Sequence, residues 1–126
     1  MLTTLQKKSL SKIKEGIEKG IVGAFLEDYR GCAYELNGKY CAVGVLFNKK
    51  QLADLKKREL NECSIQPVCY AIGERNLIAV TGFNLNELGK LQFLHDDESY
   101  IGKISINSNL YKTVNNCLET NSLDSL

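Results

Sequence analysis

The spacing of hydrophobic positions predicts four amphipathic helices. In the first, Leu10, Ile13 and Ile17 recur at the 3.6-residue spacing of one helix face, while lysines and glutamates occupy the other face. The four predicted segments are residues 3–19, 49–61, 85–91 and 109–118. Each segment begins with, or directly follows, a residue type that caps helix N-termini. These caps are Thr3, Asn48, Asn84 and Ser108.

A hairpin is predicted near the first third of the chain. Asn37-Gly38 is a strong two-residue turn signal, and residues 32–36 before it have the composition of a strand. Residues 27–31, just upstream, predict a polar turn. After the turn, residues 38–47 form the longest apolar run of the chain, which we expect at the centre of the core. Periodicity leaves open whether residues 40–47 form a strand or a helix in which Gly44 permits close packing.

Three further segments predict strands. Pro67 separates the second helix from a predicted strand at residues 68–72, and a turn at 74–76 leads to another at 77–81. Alternation of Ile101, Ile104 and Ile106 with polar residues predicts an edge strand.

The predicted elements together give an α+β fold. We expect roughly four helices packed on a small, mostly antiparallel sheet, in a single domain at residues 1–119. The short polar tail at residues 120–126 is expected to fray.

Composition narrows the class of protein. The 126 residues are 44% hydrophobic and 25% charged, with a net charge of +1, so we expect a folded globular protein and no dedicated nucleic-acid surface. The sequence shows no apolar run of about 18 residues and no signal-peptide pattern, which predicts a cytoplasmic protein without a membrane span. Five cysteines, one histidine and no Cys-x-x-Cys pair predict reduced thiols, without a zinc site or cofactor.

The sharpest catalytic hypothesis is a papain-like thiol hydrolase. Cys41 would be the nucleophile and His95 the base, with Asp96 orienting the imidazole. Asp97 and the more distant Asn107 or Asn109 are alternative orienting groups. The competing interpretation makes Cys41 a small buried apolar residue and His95 a polar residue in an acidic loop at residues 95–98. That acidic loop lacks the ligand layout of an EF-hand, so no metal site is predicted there.

A binding function is the preferred hypothesis. Two predicted helices carry clusters of lysine, which are Lys7, Lys8, Lys12 and Lys14 in one and Lys49, Lys50, Lys56 and Lys57 in the other. Because the total charge is nearly zero, a protein partner or a homodimer is favoured over nucleic acid. We therefore predict a protein-interaction module that is not an enzyme.

A short motif resembles small uncharacterised proteins of bacteriophages and other mobile elements. It is the Tyr40-Cys41-x-x-Gly44-Val45-Leu46 core of residues 31–47. In that family an aromatic-Cys-Cys-Leu-Gly-Val-Leu-Cys segment follows a short hairpin, and a Leu-x-x-Leu-Asn-Asp segment lies further on. The second pattern is occupied here by Leu91, Leu94, His95 and Asp96.

The chain departs from that family at two positions. Ala42 stands where the family has a second cysteine, and His95 stands where it has asparagine. The resemblance covers about a third of the chain and implies a mobile-element source, but the family supplies no function. Because the related pattern lacks the histidine, the resemblance speaks against a Cys41–His95 dyad.

Overall fold

The computed structural model describes residues 1–26, 32–99 and 101–126, so the turn predicted at residues 27–31 lies outside the described part. The described ranges contain six α-helices, a two-stranded hairpin and one turn of 3₁₀ helix. The α-helices are α1 (Thr4–Glu18), α2 (Lys49–Lys57), α3 (Ile65–Ile72), α4 (Glu74–Thr81), α5 (Leu85–Asp96) and α6 (Asn109–Thr120). The strands are β1 (Glu35–Leu36) and β2 (Lys39–Tyr40), and the 3₁₀ helix is Gly44–Leu46.

The predicted N-terminal caps are confirmed. Thr3, Asn48 and Asn84 each accept a hydrogen bond from the backbone three residues on, and the side chain at that position bonds back to the cap. Ser108 accepts from the backbone N–H of Tyr111. The four predicted helices therefore exist, although α2 ends at Lys57 rather than near Asn61.

The predicted α+β class is wrong, because two of the predicted strands are helices. Residues 68–72 belong to α3 and residues 77–81 to α4, and Gly73 joins the two helices at a positive φ of 96°. Pro67 lies in the first turn of α3, where its missing N–H has no helical partner to lose. Runs of five apolar residues fit either period, so tertiary packing decided between them. The fold is mostly helical.

The predicted edge strand at residues 101–106 is also wrong. Those residues form turns and irregular backbone in which Ile104 is buried while Ile101 and Ile106 are exposed. Of the alternating isoleucines, one therefore contacts the core, and no strand among the described residues pairs with the segment.

The Asn37-Gly38 hairpin is confirmed, and it forms a sheet of only two strands. Glu35 pairs with Tyr40 in antiparallel register, and both turn residues have positive φ, 53° and 83°, as a tight hairpin turn requires. Lys56 on α2 forms an ion pair with Glu35. That ion pair and the Gly38 N–H hold the pKa of the Glu35 carboxyl below its usual range.

The long apolar run at residues 38–47 is central, but it is neither one strand nor one helix. It leaves β2 at Tyr40, passes the fully buried Cys41 and then forms the 3₁₀ turn. Gly44 packs directly on the backbone of Tyr34: a Cβ added there would lie 1.9 Å from the Tyr34 carbonyl oxygen. Glycine, which has no Cβ, is the one residue type that fits this approach without moving the backbone.

Helix α1 connects the remaining elements. It packs on α6, on the 3₁₀ turn and on α4. Ser9 donates a hydrogen bond of 2.7 Å to the Thr81 carbonyl, and the Leu2 N–H donates to the Asn121 carbonyl, which brings the two ends of the described chain together. In the described ranges, no helix combines the length and apolarity needed to cross a bilayer. Beyond α6, Leu123 and Leu126 pack against the core.

We predict that Gly44→Ala lowers the free energy of unfolding by at least about 3 kcal/mol, because the added methyl group overlaps a backbone carbonyl that no side-chain rotation can clear. Denaturant unfolding followed by circular dichroism measures the change. Gly89→Ala inside α5 is the matched control, since among the described residues the one atom near its added Cβ is Ile65 Cγ2, at 4.0 Å. It should raise stability by about 0.5–1 kcal/mol. A Gly44→Ala variant as stable as the parent would contradict the packing.

Candidate functional site

Three side chains with metal-binding or catalytic chemistry converge inside the protein. Cys32, His95 and Asp96 each place a donor atom within 4.8 Å of the other two. Cys32 reaches this point from a short antiparallel bridge with Phe25, which the Ala33 N–H to Ala24 carbonyl hydrogen bond supports. His95 and Asp96 reach it from the last turn of α5. We call these three residues the Cys-His-Asp cluster.

The predicted acidic loop at residues 95–98 is therefore wrong at its start. Helix α5 continues through His95 and Asp96, and only Asp97 and Glu98 follow it. His95 lies on the inner face of α5 with Leu88, Leu91 and Gln92, so the apolar stripe of the helix includes the histidine. The run of acids is not one patch, because Asp97 is exposed and Glu98 is buried.

The imidazole of His95 is fully buried and tightly oriented. Its ring stacks on Phe25 with centroids 4.5 Å apart and an interplanar angle of 24°. Nδ1 lies 3.2 Å from Asp96 Oδ1, although the two residues are sequence neighbours. Nε2 has no hydrogen-bond partner in the described part of the chain. A buried polar atom without a partner is rare and costs about 1–3 kcal/mol.

The predicted nucleophile Cys41 lies beside this cluster rather than within it. It is fully buried, and its Sγ accepts a hydrogen bond of 3.2 Å from the Gly44 N–H. Its thiol also lies close enough to that of Cys32 to raise the pKa of the Cys32 thiol. The structure therefore brings His95 and Asp96 together, but the cysteine beside them is Cys32 rather than Cys41.

Sequence reasoning missed Cys32, although the hairpin carries the signal. The register pairs residue 35 with residue 40, and its continuation sets Tyr34 opposite Cys41. In the predicted strand at residues 32–36, Cys32 is two residues from Tyr34 and would be a diagonal neighbour of Cys41, although the observed strand β1 begins only at Glu35. A predicted hairpin with a cysteine at each of these places indicates two adjacent thiols.

The cluster does not favour a thiolate. The hydrogen bond with Cys41, burial, and the negative charge of Asp96 all raise the pKa of the Cys32 thiol far above its usual range. Tyr34, which is also buried nearby, has its pKa raised chiefly by burial. A cysteine nucleophile needs the opposite shift.

A second candidate site is an open apolar groove of about 660 Å³ between α3 and α5. Its lining is mainly apolar, with a polar rim; the residues are Ile65, Gln66, Leu85, Asn86, Gly89, Lys90, Phe93, Leu94, Ser125 and Leu126. Phe93 is 66% exposed at this groove, although phenylalanine is usually buried. Among the described residues that line the groove, Lys90 is the one with a charged side chain. We call the groove formed by these ten residues the α3–α5 groove.

The predicted lysine clusters lie on the exposed sides of α1 and α2, with Lys14 partly buried. Lys56 is matched by Glu35 within the protein, which reduces the charge that the α2 cluster offers to a partner.

Comparison of the chain with protein-family models, with curated proteins and with solved structures gives no match.

We predict that Cys32, Cys41 and Cys117 react with iodoacetamide more slowly than Cys63 and Cys69 in chelator-treated protein at about pH 8. The first three are buried, and the last two are partly exposed. The raised pKa of Cys32 also leaves little thiolate at a pH where a free thiol, with a pKa of about 8.5, is substantially ionised. Mass spectrometry of each cysteine-containing peptide gives the rates. Rapid alkylation of Cys32 below neutral pH would instead indicate an activated nucleophile.

Proposed function

We propose that the protein binds another protein, and that the α3–α5 groove receives an amphipathic helix carrying an acidic residue. The observation that carries this proposal is Phe93, which is 66% exposed beside an open apolar groove. Large exposed aromatic side chains next to apolar pockets are typical anchors of protein interfaces.

Gly89 supports a ligand in the groove. A glycine inside a helix costs about 1 kcal/mol relative to alanine, and a close approach by another group is the usual compensation. Within the described part of the chain, the one atom near a Cβ at this position is Ile65 Cγ2, at the contact limit of 4.0 Å. Internal packing therefore does not require glycine here. The free space belongs to the groove, where an occupant can approach the backbone of α5.

The shape and charge of the groove define the occupant. Two helices form its walls, which is the arrangement that accepts a third helix through apolar side chains at i, i+3, i+4 and i+7. Lys90 gives the rim a positive charge, so an acidic residue on the incoming helix is complementary.

The geometry of the Cys-His-Asp cluster supports thiol hydrolysis less well than protein binding is supported by the groove. The alternative based on Cys41 and His95 needs a thiol with a lowered pKa that contacts the imidazole. Cys32 occupies the position beside His95 and Asp96, and its pKa is shifted upward.

We predict that a helical peptide of about 18 residues, with leucines on one face and glutamates beside them, binds the α3–α5 groove. A matched peptide with lysine in place of glutamate should bind about fivefold more weakly, because one rim charge pair changes from attraction to repulsion. Fluorescence anisotropy gives both affinities, and amide chemical-shift changes should map to Ile65, Gly89 and Phe93. Lys90→Glu should reverse the preference between the peptides.

Phe93→Ala should weaken binding by about tenfold or more, because the anchor is lost, and should leave folding intact, because the side chain is exposed. Tyr70→Ala is the matched control: Tyr70 is an aromatic residue of α3 that is 85% exposed and does not line the groove. It should change affinity by less than about twofold. Absence of binding at about millimolar peptide, or equal affinity for Phe93→Ala, would contradict the proposal. Self-association abolished by Phe93→Ala would show a second copy as the occupant instead.

A further inference from the structure

We propose that Cys32, His95 and Asp96 bind a divalent transition-metal ion, and that zinc matches their donor atoms best. This site is separate from the α3–α5 groove and does not rest on the proposed function. Zinc is bound in proteins by cysteine sulfur, histidine nitrogen and aspartate oxygen, and the cluster supplies one of each. Mg²⁺ and Ca²⁺ prefer oxygen ligands alone and fit this mixed set poorly.

One edge of the coordination tetrahedron is already formed. His95 Nδ1 and Asp96 Oδ1 are 3.2 Å apart. Bonds of about 2.0–2.1 Å from zinc to nitrogen and oxygen give a tetrahedral edge of about 3.3 Å, so the separation of these two atoms matches that of two ligands on one zinc ion. The sulfur of Cys32 lies within 4.8 Å of a ring nitrogen of His95 and of a carboxylate oxygen of Asp96, and a shift of about 1 Å brings it to the edge length expected of a zinc-bound thiolate.

The residues around the Cys-His-Asp cluster hold its side chains in fixed positions. Phe25 fixes the plane of the imidazole by stacking, and the end of α5 holds His95 and Asp96 in their relative positions. His95 is fully buried, yet Nε2 has no hydrogen-bond partner among the described residues. A buried histidine that stabilised the fold alone would be expected to satisfy both ring nitrogens. The fold thus holds the imidazole of His95 in one orientation in the core although one of its ring nitrogens is unpaired among the described residues.

Cys41 lies next to the proposed metal site but is not one of its three ligands. Its thiol is a neighbour of that of Cys32 and accepts a hydrogen bond from the Gly44 N–H, but it lies outside the three-residue cluster. Three protein ligands with one position left for water are typical of reactive zinc sites, whereas four protein ligands are typical of structural ones. Loss of Cys41 should therefore weaken metal binding less than loss of Cys32.

The test begins with chelator-treated protein to which zinc chloride or cobalt chloride is added. Zinc should bind with about 1:1 stoichiometry in competition with a chromophoric chelator and raise the melting temperature by on the order of 5–10 °C at saturation. Cobalt should give the visible bands of a tetrahedral ion and a thiolate-to-cobalt charge-transfer band in the near ultraviolet. Magnesium chloride should cause neither the shift in melting temperature nor competition.

Asp96→Asn is the principal variant, because this side chain is 38% exposed and its replacement preserves shape. It should weaken zinc binding by about 100-fold, while Asp97→Asn, one residue away and exposed, should leave affinity unchanged. Cys32→Ser should abolish the charge-transfer band, Cys41→Ser should retain it, and Cys63→Ser is the cysteine control. Circular dichroism verifies folding of each variant.

Several results would overturn the proposal. These are zinc binding no tighter than about millimolar in the folded wild-type protein, a cobalt complex without thiolate charge transfer, and equal zinc affinity for Asp96→Asn and Asp97→Asn. The spectrum of the wild-type cobalt complex tests thiolate ligation without any variant. The proposal can therefore be tested even if one of the variants does not fold.

Discussion

The close approach of Gly44 to the backbone of Tyr34 is the constraint on which the interior depends. At this point the chain that leaves the hairpin crosses the chain that enters it, at a distance that excludes even a methyl group. The contact fixes Cys41 beside Cys32, because each lies within three residues of the crossing. It also explains why the longest apolar run of the sequence contains a glycine and becomes neither a strand nor a long helix.

Two hydrogen bonds connect this crossing to helices α3 and α5. The Tyr34 hydroxyl accepts a hydrogen bond of 3.3 Å from the Gln92 side chain, whose carbonyl oxygen accepts the Ile65 N–H at 3.0 Å. Ser64 makes no side-chain cap for α3, so Gln92 satisfies the first N–H of that helix instead. One residue of α5 therefore links the hairpin region to α3.

Helix α5 contributes residues to both candidate sites, from two different faces. Gln92 and His95 lie on the inner face, with the polar cluster and the link to Tyr34. Gly89 and Phe93 line the groove on another face, beside α3. The two sites thus share one scaffold, and substitution of exposed groove residues can be separated from substitution of the cluster.

The sequence was informative where local chemistry decides the structure. Capping residues such as Thr3 and Asn84 act within one helical turn, and the Asn37-Gly38 turn depends on two positive φ angles, so these elements were predicted correctly. Helices α3 and α4 were not, because short apolar runs satisfy both periods and only their packing selects one. His95 and Asp96 were named from residue type alone. Cys32 was missed because its proximity to them depends on a contact between distant segments.

In the proposed metal site, this crossing brings the ligands Cys32, His95 and Asp96 together. X-ray diffraction from crystals grown with zinc, with anomalous data collected on both sides of the zinc absorption edge, tests this proposal. We expect an anomalous peak about 2.3 Å from Cys32 Sγ and about 2.0–2.2 Å from donors on His95 and Asp96. A cluster with the same side-chain positions but no peak, with zinc bound only at surface residues, would contradict it.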